Sequence, residues 1–333
     1  MKRLILTFDD SAAGALRGAG LADCVVPFGL CFVWGRLRPA NELKTFLSPR
    51  AAKPAAADFH WLDNLNGAHL EEARKRGAGL IEFCERFETV ELWADPEPNA
   101  QLQLVWLLDQ LRLHADVASK TVLVRTDTRI GDHPPTDWVE QRFTAVPVRN
   151  DHLEAACAAW SSWRAPTPVA WFGLLARNLT ALPQLRNTVI ALLEELPARA
   201  TGLGTTEMRM LELLAAGHVH PYDLFPGHQR PNDRRTFGFW EVGELLDGMA
   251  HCPAPAIAGL DEGPFDEELR DARERHDRYR NSTLSLTGLG KAILAQTDDF
   301  SRHNPVHRWW GGTELNNDSL WRWDPRQRVL VAP

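Results

Sequence analysis

Two adjacent carboxylates and a hydroxyl, Asp9-Asp10-Ser11, stand directly after a short apolar run, and Asp95-Pro96-Glu97 repeats the acidic pattern after another. A third apolar run ends in Arg125-Thr126-Asp127. Clustered carboxylates suit a hard divalent cation or acid–base work. A hydroxyl and free backbone N–H groups at a helix start suit an anion instead. The two uses compete, because paired carboxylates repel a phosphate unless a cation intervenes. The plainest alternative is structural: Asp9 or Asp10 caps a helix, which stabilises by about 1 kcal/mol.

Other constellations carry less. Neither GxGxxG nor GxxxxGK[ST] occurs, so no dinucleotide or P-loop nucleotide is specified, and the cofactor stays unknown. His218 and His220 lack further ligands at a recognisable spacing, and Pro305 between His303 and His307 argues against a helical pair. The five cysteines are scattered, odd in number and without CxxC, which supports neither a zinc knuckle nor a disulfide framework. No metal site is expected. Ser11 is not in a GxSxG elbow, so no serine nucleophile is indicated.

The elements that must position the acidic groups alternate. Arg3–Phe8, Cys24–Phe28, Thr89–Trp93 and Thr121–Arg125 read as buried strands. A helix follows Ser11 and stops at Gly18 and Gly20. Pro39–Pro54 reads as loop, and Leu65–Phe87 as helix broken at Gly77 and Gly79. Asn99 opens an amphipathic helix with Leu102, Val105, Trp106, Leu108 and Leu111 on one side. This pattern predicts an α/β fold with a Rossmann-like, mostly parallel sheet covered on both faces. Ligands of such sheets sit outside the carboxyl ends of the strands. A site there would gather Asp9, Asp10, Ser11, Trp93, Asp95 and Gln101.

After a linker at His133–Thr136, helices are expected over Asp151–Trp163, Pro168–Asn178 and Leu182–Leu196. Thr205 caps a helix ending at Gly217, and another spans Phe239–Ala250. Asp266–Arg280 reads as one charged helix with pairs Asp266–Arg270, Asp271–Arg275 and Glu274–Arg278. A strand at Thr283–Leu286 and a helix capped by Thr287 complete a winged-helix shape. Arg308–Leu315, Leu320–Asp324 and Arg328–Val331 read as short antiparallel strands. The division expected is 1–135 α/β, 136–200 helical bridge, and 201–333 winged-helix-like with terminal strands. Thirteen tryptophans beside two tyrosines need placing. Trp160, Trp163 and Trp171 read as packing between helices. Trp309, Trp310, Trp321 and Trp323 read as an aromatic wall or a stacking cage, with Glu314 and Asp324 near for their indole N–H groups.

The chain has 333 residues and a net charge of −7. That balance argues against nucleic acid and anionic membrane as partners. The helix at Phe239–Ala250 carries Glu241, Glu244 and Asp247 but no Lys or Arg, and Arg230, Arg234 and Arg235 are the only basic cluster beside it. No stretch reads as a secretory signal or membrane span, so a soluble, cytoplasmic protein is expected. Its partners are then a small-molecule ligand or another protein. The preferred expectation is a ligand-binding or interaction protein; an enzyme using a carboxylate site, with or without a divalent metal, is the alternative, and a DNA-binding regulator ranks third.

The segments DDSAAGAL, ELWADPEPNAQLQLVWLLDQL, GLGTTEMRMLELLAAG, LSLTGLGKAIL and WWGGTEL…WRWD together resemble a bacterial family catalogued only as a domain of unknown function. The resemblance spans most of the chain and implies fold rather than activity. One departure stands out: where the family pattern places acidic and hydroxyl residues before a Gly-Pro, this chain has the apolar segment Gly29–Leu37. If those acids do chemistry in relatives, the resemblance implies that this member lacks it.

Overall fold

In the computed structural model Arg3–Thr7 (β1), Cys24–Pro27 (β2), Thr89–Ala94 (β3), Thr121–Arg125 (β4) and Ala145–Pro147 (β5) form one sheet of order β2-β1-β3-β4-β5. The structure describes residues 2–50, 60–63, 68–141, 143–225 and 235–333. β1 through β4 pair in parallel, and β5 joins the edge antiparallel. The expected α/β class is therefore observed. β5 is the strand that patterning missed: its three residues are outside or half-exposed, and Pro147 removes a donor that only an edge can spare.

The parallel strands are apolar runs because both faces are covered. On one side Ile5, Val25, Trp93 and Val124 meet Ala12 and Leu16 of Asp10–Gly18 (α1), together with Ile130 and Trp138. Elsewhere in the unit, Phe28, Phe32, Phe46 and Trp106 pack edge-on or tilted at 5.6–6.3 Å between ring centroids. Phe46 belongs to Ala40–Leu47 (α2), and Trp106 to Pro98–Leu111 (α5). α2 corrects the expected loop over Pro39–Pro54. Pro39 sits at the N-cap, where its missing N–H costs nothing, and Leu43, Phe46 and Leu47 bury one face. Residues 51–54 of that expectation lie outside the described residues, as does Leu65. The break at Gly77–Gly79 separates Ala68–Arg76 (α3) from Leu80–Glu85 (α4). Ala115–Ala118 (α6), Pro135–Glu140 (α7) and Asn150–Trp163 (α8) complete this part.

Two buried tryptophans here differ in one bond. The Trp61 indole donates to the Ala78 carbonyl at 3.0 Å, whereas the buried Trp138 indole N–H has no partner. Replacing Trp138 by Phe is expected to cost about 1 kcal/mol less than replacing Trp61, since only the latter strands a carbonyl. Urea unfolding of the two variants side by side checks this; equal losses would contradict it.

The chain divides into two compact units: residues 1–32, 37–162 and 177–186, and residues 33–36, 163–176 and 187–333. The stretch 136–200 is thus shared between the units instead of standing alone. In the second unit, Val169–Gly173 (α9) and most of Leu185–Leu193 (α10) lead to Thr205–Ala215 (α11) and Phe239–Ala250 (α12). Gly204, not Thr205, is the N-cap of α11. Its N–H donates to Glu207 at 2.7 Å, while the Thr205 hydroxyl donates to the Glu194 carbonyl. Ile257–Ala258 (β6) pairs antiparallel with Ser285–Leu286 (β7), and Thr287 caps Gly288–Leu294.

The charged segment between β6 and β7 is two helices, Glu267–Asp271 and Arg273–Asn281, broken at Ala272 with φ −84° and ψ 89°. None of the three expected pairs forms: the break separates Asp271 from Arg275, Asp266 caps its helix by accepting the Leu269 N–H, and Arg278 turns to Glu262 although Glu274 shares its helix. Arg275 and Arg278 instead both engage Glu262, and Arg270 pairs with Asp271. His307–Trp310 pairs with Thr313–Asn316, and Arg322–Asp324 with Val329–Val331, which are the expected short antiparallel strands.

In this unit Trp163, Trp171 and Trp310 pack together, while Trp309 carries the Arg36 guanidinium 5.2 Å from its ring centroid. Trp163 lies 4.9 Å from Trp171 and 4.5 Å from Trp310 between ring centroids. Gly311 at φ 55° lets the strand turn approach so closely that a Cβ would stand 2.4 Å from the Trp163 carbonyl. Glu314 and Asp324 do not receive the indoles: Glu314 pairs with His307 and Asp324 with Arg199, while Trp310 donates to the Leu192 carbonyl. Among the described residues, no helix is long and apolar enough to cross a membrane.

Candidate functional site

The strand order reverses direction between β1 and β3, and this switch point is where an open parallel sheet leaves a crevice at its carboxyl edge. β1 delivers Asp9 there and β3 delivers Asp95. Asp9 caps α1: its Oδ1 accepts the Ala12 N–H at 2.7 Å, and its backbone is extended at φ −155°. Asp10 and Ser11 follow on the first turn of α1 and are exposed. The backbone of Gly131 rests against Ser11, where a Cβ would come within 2.6 Å of the serine Cβ.

Asp95 is only 2% exposed. Its Oδ1 accepts the Glu97 N–H at 3.1 Å and its Oδ2 the Ile130 N–H at 3.4 Å. Burial pushes its pKa up to about 6; the Asp9 charge adds to the rise, and the two N–H donors with Arg129 oppose it. Glu97, at the N-cap of α5, is pushed up to about 7 by burial, against the pull of Arg129, with Asp95 and Asp9 raising it further. Arg129 Nε stands 2.5 Å from Glu97 Oε1 but makes no aligned hydrogen bond, while Nη1 donates to Asp132 Oδ1 at 2.9 Å. Arg129 is held more firmly protonated by these acids, although burial works against that. Glu97 and Asp132 therefore share a single guanidinium, with Asp95 within its electrostatic reach and Asp9 within that of Asp95 and Glu97.

Of the residues anticipated here, Asp9 and Asp95 share an electrostatic neighbourhood, with Asp10 and Ser11 beside Asp9 on α1. Trp93 does not join them. It is buried in the face packed on α1 and donates to Glu91 at 2.8 Å. Gln101 is buried and committed: its Nε2 donates to the Asp95 carbonyl at 2.6 Å and to Gln184 at 3.1 Å. Gln184 donates in turn to the Thr126 carbonyl, so this relay ties the ends of β3 and β4 together. Arg129 and Asp132 were not anticipated. They follow the third polar strand end by only a few residues, which was the available signal; nothing in the spacing says that the turn folds back over Glu97.

Asn99 and Gln103, on α5 with Gln101, hold the segment after β2. Asn99 binds the Phe32 N–H and the Leu30 carbonyl, each at 2.7 Å, and Gln103 accepts the Leu30 N–H at 3.3 Å. Leu30, Phe32 and Val33 are buried. The apolar departure at Gly29–Leu37 thus packs, and it brings no carboxylate to the crevice.

Among the described residues no three His, Cys, Asp or Glu side chains converge as a metal site. None of the five cysteines is in a disulfide. Burial pushes the thiols of Cys24 and Cys84 up to about 11 and about 12, which leaves them protonated and unreactive at neutral pH. Compared with known proteins, the chain matches no family model, and no curated protein matches it.

Proposed function

We propose that the chain is a small-molecule-binding protein of accessory or regulatory type. Its first unit takes a cationic, hydrogen-bond-donating ligand group at the carboxyl ends of β1 and β3. One observation carries this reading: Glu97 and Asp132 pair with one guanidinium, Asp95 and Asp9 add negative charge beside Glu97, and burial pushes Asp95 and Glu97 up toward neutrality. A ligand ammonium would supply the missing charge. The second unit, with its β6–β7 pair flanked by helices, is then a winged-helix-like module for a protein partner.

In α12 the Glu244 carboxylate accepts the Trp34 indole N–H, and Asp247 accepts the Phe265 N–H, so these acids are engaged within the fold. That weakens nucleic-acid reading on this helix no less than its charge does. Arg230 and Arg234 of the neighbouring basic cluster lie outside the described residues. A reducing, cytoplasmic setting accords with five cysteines none of which is in a disulfide.

Calorimetry of the full chain with putrescine and with agmatine tests the reading. Because the carboxylates must be ionised to hold a cation, affinity is expected to be about tenfold stronger at pH 8 than at pH 5.5. Glu97→Gln, at a half-exposed position, is expected to weaken it by a similar factor. Absence of saturable binding at either pH would sink the proposal.

A second reading has its own support. Carboxyl groups titrating near 6 and 7 are suited to general acid–base catalysis at neutral pH. Turnover of any bound amine, lost in Asp95→Asn with folding kept, would favour the enzyme over the sensor.

A further inference from the structure

A second feature of the first unit carries the opposite charge. Beside β4 and β5, two adjoining cavities of about 310 and 290 Å³ share Asp151, Thr180 and Ala181 in their walls. Leu123 and Val146, paired across the two strands, form an apolar floor. Arg125 and Arg149 line the first cavity and Arg177 the second. Among the described residues, none of these three guanidinium groups has a carboxylate partner. Elsewhere in the unit the arginines at functional-looking positions are paired, as Arg129 and Arg3 show.

His152, in the first turn of the fourteen-residue α8, supplies the second observation. It is 6% exposed and lines the first cavity. Its Nδ1 accepts the Arg149 backbone N–H at 3.2 Å, which places the ring hydrogen on Nε2. Asp151 Oδ1 is 2.9 Å from the same Nδ1 and also accepts the His152 backbone N–H at 3.0 Å. Nε2 has no partner among the described residues. This nitrogen is not sealed from solvent, and a ligand oxygen entering the cavity that the ring lines would accept its hydrogen.

We infer that this groove binds a small organic phosphate. The phosphate lies between Arg125, Arg149 and the His152 Nε2–H, near the N-terminus of α8, where guanidinium forks and helix amides both favour it. Glu154 lines only the second cavity, where its carboxylate fits hydroxyl or amino groups of the ligand body, while Asp151 lines both and stands beside the His152 ring. The cavity volumes stand near the lower end of the range for small-molecule sites, which selects a compact ligand over a polymer.

Titration calorimetry of the full chain with glucose 6-phosphate, inorganic phosphate and glucose, at matched ionic strength, tests the inference. Glucose 6-phosphate is expected to bind saturably in the millimolar range or tighter, inorganic phosphate more weakly, and glucose not at all. Arg125→Gln with Arg149→Gln removes two exposed, unpaired charges, so the fold is kept, and affinity is expected to fall about tenfold or more. Arg177→Gln is expected to produce a smaller loss. The inference is overturned if neither phosphate saturates by about 10 mM, or if the double variant binds as the parent does. A single-stranded oligonucleotide binding more tightly than glucose 6-phosphate, with steep salt dependence, would overturn the small-molecule assignment in favour of a polymer.

Discussion

Exchanging Asp95 for Asn is expected to stabilise the first unit at pH 7.5 by about 1–2 kcal/mol, although it removes a hydrogen-bonded side chain. The folded pKa of Asp95, about 6, lies above its ordinary value of 3.8. Between those values the folded chain keeps a proton that the unfolded chain releases. Stability contributed by this group is therefore greatest below about pH 4, declines as pH rises through about 6, and is then level. A rise of about two units corresponds to about 3 kcal/mol at most. Asn keeps the acceptor for the Glu97 N–H but offers a donor to the Ile130 N–H, which brings the gain down.

Glu97 acts in the same direction, from 4.5 to about 7, with a side chain 22% exposed. Adding Glu97→Gln is expected to flatten the remaining decline between pH 5 and 8. Urea unfolding across that range measures both effects. A parent chain whose stability rises with pH over this interval, or an Asn variant weaker than the parent at pH 7.5, would refute the account. A carboxylate that opposes folding at neutral pH is what a binding site needs and a scaffold does not.

How far this was legible in the chain differs by level. The parallel strands are written in uninterrupted apolar runs such as Leu4-Ile5-Leu6, because burial on both faces removes the need for alternation. Their order is not written. Only long-range pairing puts β1 between β2 and β3, and so makes Asp9 and Asp95 neighbours. The acids at the strand ends were visible as residue types; the charge that answers them was not, since Arg129 reaches Glu97 through a turn whose path depends on tertiary packing.

The errors have a common cause. Gln101 and Trp93 look like ligand-facing residues because amides and indoles often serve ligands. In the fold both are spent on internal partners, the Asp95 carbonyl and Glu91. α2 was hidden because Pro39 reads as a breaker, whereas at a helix start it is an initiator. In the charged segment at 266–280, the break at Ala272 parts Asp271 from Arg275, and Glu262, from outside the segment, draws both Arg275 and Arg278 away from the anticipated pairs.

The site also depends on a residue that never touches it. Gln103 is fully buried in α5, where its Nε2 donates to the Phe8 carbonyl at 3.0 Å and its Oε1 accepts the Leu30 N–H. Phe8 immediately precedes Asp9, so this amide fixes the backbone from which the acidic end of β1 emerges. Gln103→Leu preserves approximate volume but leaves a buried carbonyl and a buried N–H without these partners. At about 1–3 kcal/mol for each of the two stranded groups, the expected loss is about 2–6 kcal/mol. Urea unfolding should show it as a lowered midpoint with an unchanged slope. Hydrogen exchange separates the local from the global effect: the Ala12 and Ala13 amides, bonded to Asp9, should lose protection beyond what the global loss explains. If they lose no more than the amides of β4, Gln103 supports the core alone, and the placement of Asp9 is owed to its own cap.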